Sequence, residues 1–350
     1  MKRRELFRVE GVPVFQNKMF TTEEAALSCP KGDVVLMEDQ ETGLVFNEAF
    51  DLGELSYDSD YQNEQAYSGV FQRHIEDVIA VFSRHFHGKS LIEVGCGKGY
   101  FLERLRSAGY EATGIDPAYE GTSPYIIKAP FRPGLGLSAN GVVLRHVLEH
   151  IPDPVTFLSD IARANGGKGK VYIEVPCFDW ICRHQAWFDV YYEHTNYFRL
   201  TDFYCMFGTV HEAGYLFGEQ YLYLVADLDT LRVPRFDERN PVQFPADFLA
   251  GIEHFCHQHR GRRTSIWGAA AKGMIFASYM QRAGAQVDLA IDINPSKQGK
   301  FLAGCGLRVT SPEEAMSALN PGDEIVVMNS QYLDEITAQF GSQFKYLTLD

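Results

Sequence analysis

Between residues 90 and 225, short apolar runs of strand length alternate with stretches whose apolar side chains recur every three or four positions. Residues 90–94 read as a strand, 101–108 as a helix and 111–115 as a second strand, with further strands at 141–144 and 170–175. Alternation of this kind predicts a parallel, doubly wound α/β sheet. A second alternating block begins near residue 262: strands at 263–267, 287–291 and 324–328, helices at 274–283 and 312–318. A second Rossmann-like domain is therefore expected at the C-terminus. Residues 1–75 differ from both blocks. Val12-Pro13-Val14-Phe15, Val34-Val35-Leu36 and Leu44-Val45-Phe46 are short apolar pieces separated by Gly, Asn and Asp, which reads as a small strand-and-loop module. A helical pattern starts near Ser68 and carries Val70, Phe71, Ile75, Val78, Ile79, Val81 and Phe82. The expected division is thus 1–75, 76–225 and 226–350, with the proline-containing stretch 226–260 making the crossing between the last two.

Composition changes this picture only by exclusion. The 350 residues carry a formal net charge of -14, which argues against a nucleic-acid partner, since such proteins present a basic face to phosphate. No run of about eighteen apolar residues exists, so no membrane span is expected. The seven cysteines are scattered without CxxC spacing, so neither a disulfide framework nor a cysteine metal site is expected; free cysteines suit a reducing cytoplasm.

Candidate chemistry begins at Glu93-Val94-Gly95-Cys96-Gly97-Lys98-Gly99-Tyr100, between the first strand and its helix. Glycines let the backbone turn tightly and approach a ligand. The spacing is G-x-G-x-G with an acid two positions ahead, rather than the G-x-G-x-x-G of dinucleotide sites. Asp116, followed by Pro117, ends the second strand about twenty residues on, where a carboxylate can accept both ribose hydroxyls. An NAD site would use the same acid, so the glycine spacing discriminates, together with Leu144-Arg145-His146-Val147-Leu148-Glu149-His150-Ile151. These features resemble motif I and its neighbours in class I methyltransferases dependent on S-adenosylmethionine (SAM). The resemblance implies SAM as cofactor, held by Glu93, Gly95, Cys96, Gly97, Gly99, Tyr100, Asp116, Pro117, Arg145 and His146. His146, Glu149 and His150 are expected to be structural or cofactor-flanking.

After the fifth strand comes Trp187-Phe188-Asp189-Val190-Tyr191-Tyr192-Glu193-His194-Thr195-Asn196-Tyr197-Phe198, aromatic residues around a Glu-His pair. Imidazole titrates near working pH and a neighbouring carboxylate can orient it; the alternative is a buried aromatic cluster with one hydrogen-bonded histidine. This segment is similar to the Y-H-E-H-x-x-Y-F motif of the three-domain C-methyltransferases that act on nucleotide-linked 4-keto-6-deoxysugars. The C-terminal stretches Trp267-Gly268-Ala269-Ala270-Ala271-Lys272-Gly273, Asp292 to Lys300 and Asn329 to Ile336 extend the likeness. The resemblance implies proton removal alpha to a ketone, with His194 as base, Glu193 its partner, and Tyr191 and Tyr192 placing the acceptor. Tyr61, Tyr67 and Tyr197 are then acceptor-side candidates, and Lys272 and Lys297 are candidates for an anionic acceptor. Methylation of oxygen or nitrogen on another small molecule is the alternative reading, and a non-catalytic SAM-binding subunit a third. A monomer or homodimer is expected.

Two departures from that family stand out. Its N-terminal zinc knuckles, two C-x-x-C-G sequences, correspond here to Phe7-Arg8-Val9-Glu10-Gly11 and Asp39-Gln40-Glu41-Thr42-Gly43, without a cysteine. Structural zinc needs four good ligands, so a metal-free remnant packed on Val12, Val14, Phe15, Leu36, Val45 and Phe46 is expected, and no metal elsewhere. Tyr192 stands where the family has histidine.

Overall fold

The computed structural model describes residues 2–55, 66–86 and 89–350. Its central sheet has seven strands in the order Val210–Leu216, Tyr221–Asp227, Lys170–Pro176, Gly141–Arg145, Ser90–Val94, Glu111–Ile115 and Ile126–Ile127. The five from Lys170–Pro176 to Ile126–Ile127 are parallel, and the remaining two close the edge as an antiparallel hairpin. Strand order reverses at Ser90–Val94, and ligands of open α/β sheets bind beyond the carboxyl ends at such a switch point. Helix Gly69–His85 starts where Ser68 caps it, accepting from the amides of Val70 and Phe71. It buries Phe71, Ile75, Val78, Val81 and Phe82 against the sheet, five of the seven positions that periodicity selects, while Val70 and Ile79 are half-buried.

The C-terminal sheet is wholly parallel in the order Val309–Thr310, Leu289–Ile291, Thr264–Trp267, Glu324–Val327, Lys345–Thr348. Periodicity found its three central strands; the two outer ones are short or half-exposed and lack an apolar run.

The N-terminal module holds more strand than its apolar pieces suggest. Arg3–Pro13 is an edge strand of 11 residues, paired antiparallel with Lys31–Asp39. Its alternation is hidden because the exposed positions are Arg3, Glu5, Arg8 and Glu10 (charges that keep an open edge from pairing with another chain) and because two register shifts interrupt it. The candidate packing residues Val12, Val14, Phe15, Leu36 and Val45 are buried, while Phe46 is half-buried beneath the Arg3 guanidinium.

The positions of the missing knuckle cysteines have other work. Phe7 packs against Phe244 and Phe248, and the Asp39 carboxylate accepts the amides of Glu41 and Thr42. Buried Glu38 accepts from Arg4 and from the Val242 amide, fastening the module to the stretch after residue 226. The fourth strand of this sheet, Asn196–Tyr197, comes from the aromatic segment itself and pairs with Val45–Asn47. That segment is therefore clamped between the module and the central sheet, which periodicity had no means to reveal. Among the described residues no helix is long and apolar enough to cross a membrane.

Candidate active site

The turn after Ser90–Val94 places Gly95, Gly97 and Gly99 at φ +73°, +54° and +88°. A Cβ on Gly95 would lie 2.4 Å from Val147 Cγ2 and one on Gly99 2.6 Å from Ile126 Cδ1, so packing and conformation both demand glycine there. A Cβ on Gly97 would meet nothing within 4 Å. It faces a cavity of about 380 Å³ whose lining includes Glu93, Gly95, Cys96, Gly97, Tyr100, Arg145 and His146. The Glu93 carboxyl is buried and its Oε2 has no hydrogen-bond partner among the described residues. Burial pushes it up to about 7, opposed by Arg145 and reinforced by Asp116. An unpartnered buried acid beside an open glycine turn fits the cationic end of SAM. Asp116 accepts from the amides of Gly97 and Ala118, each at 2.8 Å, which ties it to the turn, and Pro117 is exposed. Burial raises the Cys96 thiol well above its usual range, so that side chain is neutral packing.

Arg145 and His146 owe their positions to a residue that sequence reasoning missed. Glu174, on Lys170–Pro176 and fully buried, accepts two bonds from Arg145, one from the Tyr172 hydroxyl at 2.7 Å, and lies 2.9 Å from His74 Nε2. His146 adopts φ +52°, its amide bonded to the Glu174 carbonyl and its ring between Glu149 at 3.4 Å and Glu174 at 3.2 Å. Burial disfavours a charge on His146, but those two carboxylates outweigh it and raise the imidazole to about 9. The signal in the sequence was a lone Glu within an apolar strand, Val-Tyr-Ile-Glu-Val.

The aromatic segment divides between two faces. Tyr191 and His194 line the cavity with their rings edge to face, 4.8 Å between centroids. The Tyr191 hydroxyl donates to Asp189, so its one proton is committed there. His194 is buried, and burial with the nearby His150 and His146 holds its imidazole well below the usual range, hence neutral. Tyr192 and Glu193 are directed toward the N-terminal module. Tyr192 packs at Gly32 and Phe50 and accepts from the Asp51 amide at 2.9 Å; Glu193 accepts from the Gln16 amide at 2.6 Å. Tyr192 and Glu193 form a turn ahead of the short strand Asn196–Tyr197, and that turn carries their side chains away from the cavity. Glu193 thus anchors the backbone whose carbonyl meets His150 Nδ1 at 3.0 Å. Tyr197 is buried behind Tyr191, its hydroxyl 3.1 Å from both the Tyr191 amide and carbonyl.

The C-terminal sheet completes the cavity. Lys272 pairs with Asp189 at 3.0 Å and bonds Gln220 at 2.8 Å, and Lys297 pairs with Asp292 at 3.0 Å. Both lysines line the cavity, but each is matched to a carboxylate, so neither is the open cation that the sequence suggested. Asn294, whose amide Nδ2 is buried without a partner among the described residues, lines the same wall. Tyr67 sits at the rim, half-exposed, and Tyr61 lies outside the described residues.

Residues 66–215 match the family described as a methyltransferase domain, and residues 245–345 match the C-methyltransferase C-terminal domain. A relative, the C-methyltransferase NovU of Streptomyces niveus, is 23% identical over 295 residues, spanning 71% of this chain and 70% of that protein. Two solved structures overlap more loosely. Magnesium protoporphyrin IX methyltransferase of Synechocystis PCC 6803, with bound SAM, is 16% identical, covers 45% of this chain and 78% of its own, and has a TM-score of 0.33. A SAM-dependent methyltransferase of Aquifex aeolicus is 14% identical over 44% of this chain and 89% of its own, with a TM-score of 0.32.

Proposed function

We propose that this chain, a SAM-dependent methyltransferase with a C-methyltransferase C-terminal domain, methylates the carbon alpha to a ketone on a small acceptor, with His194 as general base. The observation that carries this reading is a buried, neutral imidazole in the same cavity as the glycine turn. A neutral imidazole keeps the lone pair that proton abstraction needs. His194 takes the alpha proton, and the C–H electron pair moves onto the carbonyl as an enolate. The imidazole of His146, raised to about 9 and lining the same cavity, favours that anion through space. Glu93, Gly95, Gly97, Tyr100 and Asp116 would hold SAM, which supplies an electrophilic methyl group when bound.

On this reading Tyr191 walls the imidazole rather than donating to the enolate, because Asp189 already takes its proton. Glu193 and Tyr192 act from behind, as anchors of the segment. A nucleotide-linked keto-deoxysugar fits the acceptor class: the segment Tyr191 to Phe198 is similar to the motif of C-methyltransferases that act on such sugars, and the Asn294 amide offers a free donor in the same cavity. The reading is tested by incubating candidate keto sugars with enzyme in deuterated water. Deuterium should enter the alpha carbon with the wild type and not with His194→Ala. Methyl transfer without such exchange would assign the enzyme to oxygen or nitrogen instead.

A further inference from the structure

Glu149, His150 and His194 offer one ligand atom each within 4.8 Å of one another, and all three line the cavity. They arrive from separate places: the short helical turn Leu148–His150 after Gly141–Arg145, and the clamped segment after Lys170–Pro176. We propose that these three residues form a site for a transition-metal dication of the zinc class, whose occupancy withdraws His194 from proton transfer. The second clause rests on the base assignment above.

Four observations support the site. Glu149 is 2% exposed and its Oε2 has no partner among the described residues, while Oε1 faces His146. A buried carboxylate oxygen without a donor is costly, and a cation removes that cost. His150 Nδ1, 3.0 Å from the Glu193 carbonyl, donates there, which leaves Nε2 as the ring atom for an ion. Metal-bound histidines are oriented by this kind of outer bond. His194 is buried and lines the same cavity. Finally, the His150 and His194 rings already meet edge to face at 5.0 Å.

Zinc bonds of about 2.0–2.1 Å at a tetrahedral angle set ligand atoms about 3.4 Å apart. The three ligand atoms, within 4.8 Å of one another, would have to draw closer by side-chain rotation to hold an ion. Two imidazoles select zinc, cobalt, nickel or copper over magnesium and calcium.

The full-length enzyme, stripped with chelator, is titrated with zinc chloride by calorimetry and with cobalt chloride by visible absorption. One equivalent should bind and give a cobalt ligand-field band. Binding should weaken by at least about tenfold in both His150→Ala and Glu149→Gln, whose folding is checked by circular dichroism. Zinc should abolish methyl transfer competitively with the acceptor while leaving SAM affinity unchanged, and chelator should restore it. Absence of a stoichiometric site, or binding indifferent to both substitutions, overturns the proposal. Tight zinc binding without inhibition overturns the link to His194 alone, and activity in His194→Ala would fault the base assignment rather than the metal site.

Discussion

The glycine turn and the acceptor wall share one cavity but are built on different plans. The turn is local: within seven residues, Glu93 to Gly99 set the acid, three positive φ angles and the helix start. The acceptor wall gathers His194 from a loop, His150 from the turn Leu148–His150, Gln16 from the N-terminal module and Lys272 from helix Ala271–Arg282. The residue next to its catalytic candidate, Glu193, is held by the Gln16 amide, 177 positions away in sequence. Damage to the outlying modules is therefore expected to impair acceptor chemistry more than cofactor binding.

That contrast breaks most sharply at His194. His194→Ala should lower turnover by about 10²–10⁴-fold, the usual yield of a positioned base, with SAM affinity, read by calorimetry, within twofold of wild type. A loss of SAM affinity would erase the distinction between the two sides. Gly97→Val should do the opposite. A β-branched residue at φ +54° is strained by ~1–2 kcal/mol and its side chain enters the cavity, so SAM should bind at least about tenfold more weakly while the fold stays intact by circular dichroism.

Lys272→Met probes the join between the two sheets. It leaves Asp189 with a buried charge and no cation, which costs about 3 kcal/mol or more. Thermal unfolding should shift downward, and Asp189→Asn added to it should recover part of the loss. If Lys272→Met leaves Tm unchanged and raises only the acceptor KM, the lysine serves the acceptor instead.

The smallest effect concerns pH. Glu93 is held near 7, and a cationic cofactor prefers its carboxylate. SAM affinity should therefore be full above pH 7 and fall as pH drops through it, by up to tenfold per unit. Glu93→Gln should flatten the profile.

How legible all this was follows the same division. The strands at 90–94, 111–115, 141–144 and 170–175 and the helix beginning after Ser68 could be read because burial on a sheet face or helix stripe imposes a period on neighbouring residues. Arg3–Pro13 could not, because an exposed edge strand carries charge where a buried one carries valine. Glu174 was invisible as a hub: Tyr172 is on its own strand, but Arg145 and His146 come from the end of Gly141–Arg145 and His74 from helix Gly69–His85, and only the folded sheet makes those neighbours. Glu193 read as the partner of His194 because the two are adjacent, yet a turn at Tyr192 and Glu193 sends its carboxylate to the Gln16 amide instead. Lys272 and Lys297 read as open cations because their carboxylates, Asp189 and Asp292, are matched to them only by tertiary contact and a local turn.

The sequence alone determined the class of cofactor and the two α/β sheets, since a glycine turn and a hydrophobic period are properties of consecutive residues. Tertiary structure decided which side of the aromatic segment meets the acceptor, which histidine is charged and which neutral, and that Glu149, His150 and His194 converge. Those outcomes depend on burial and on charges brought close across the fold, and neither exists until the chain has packed.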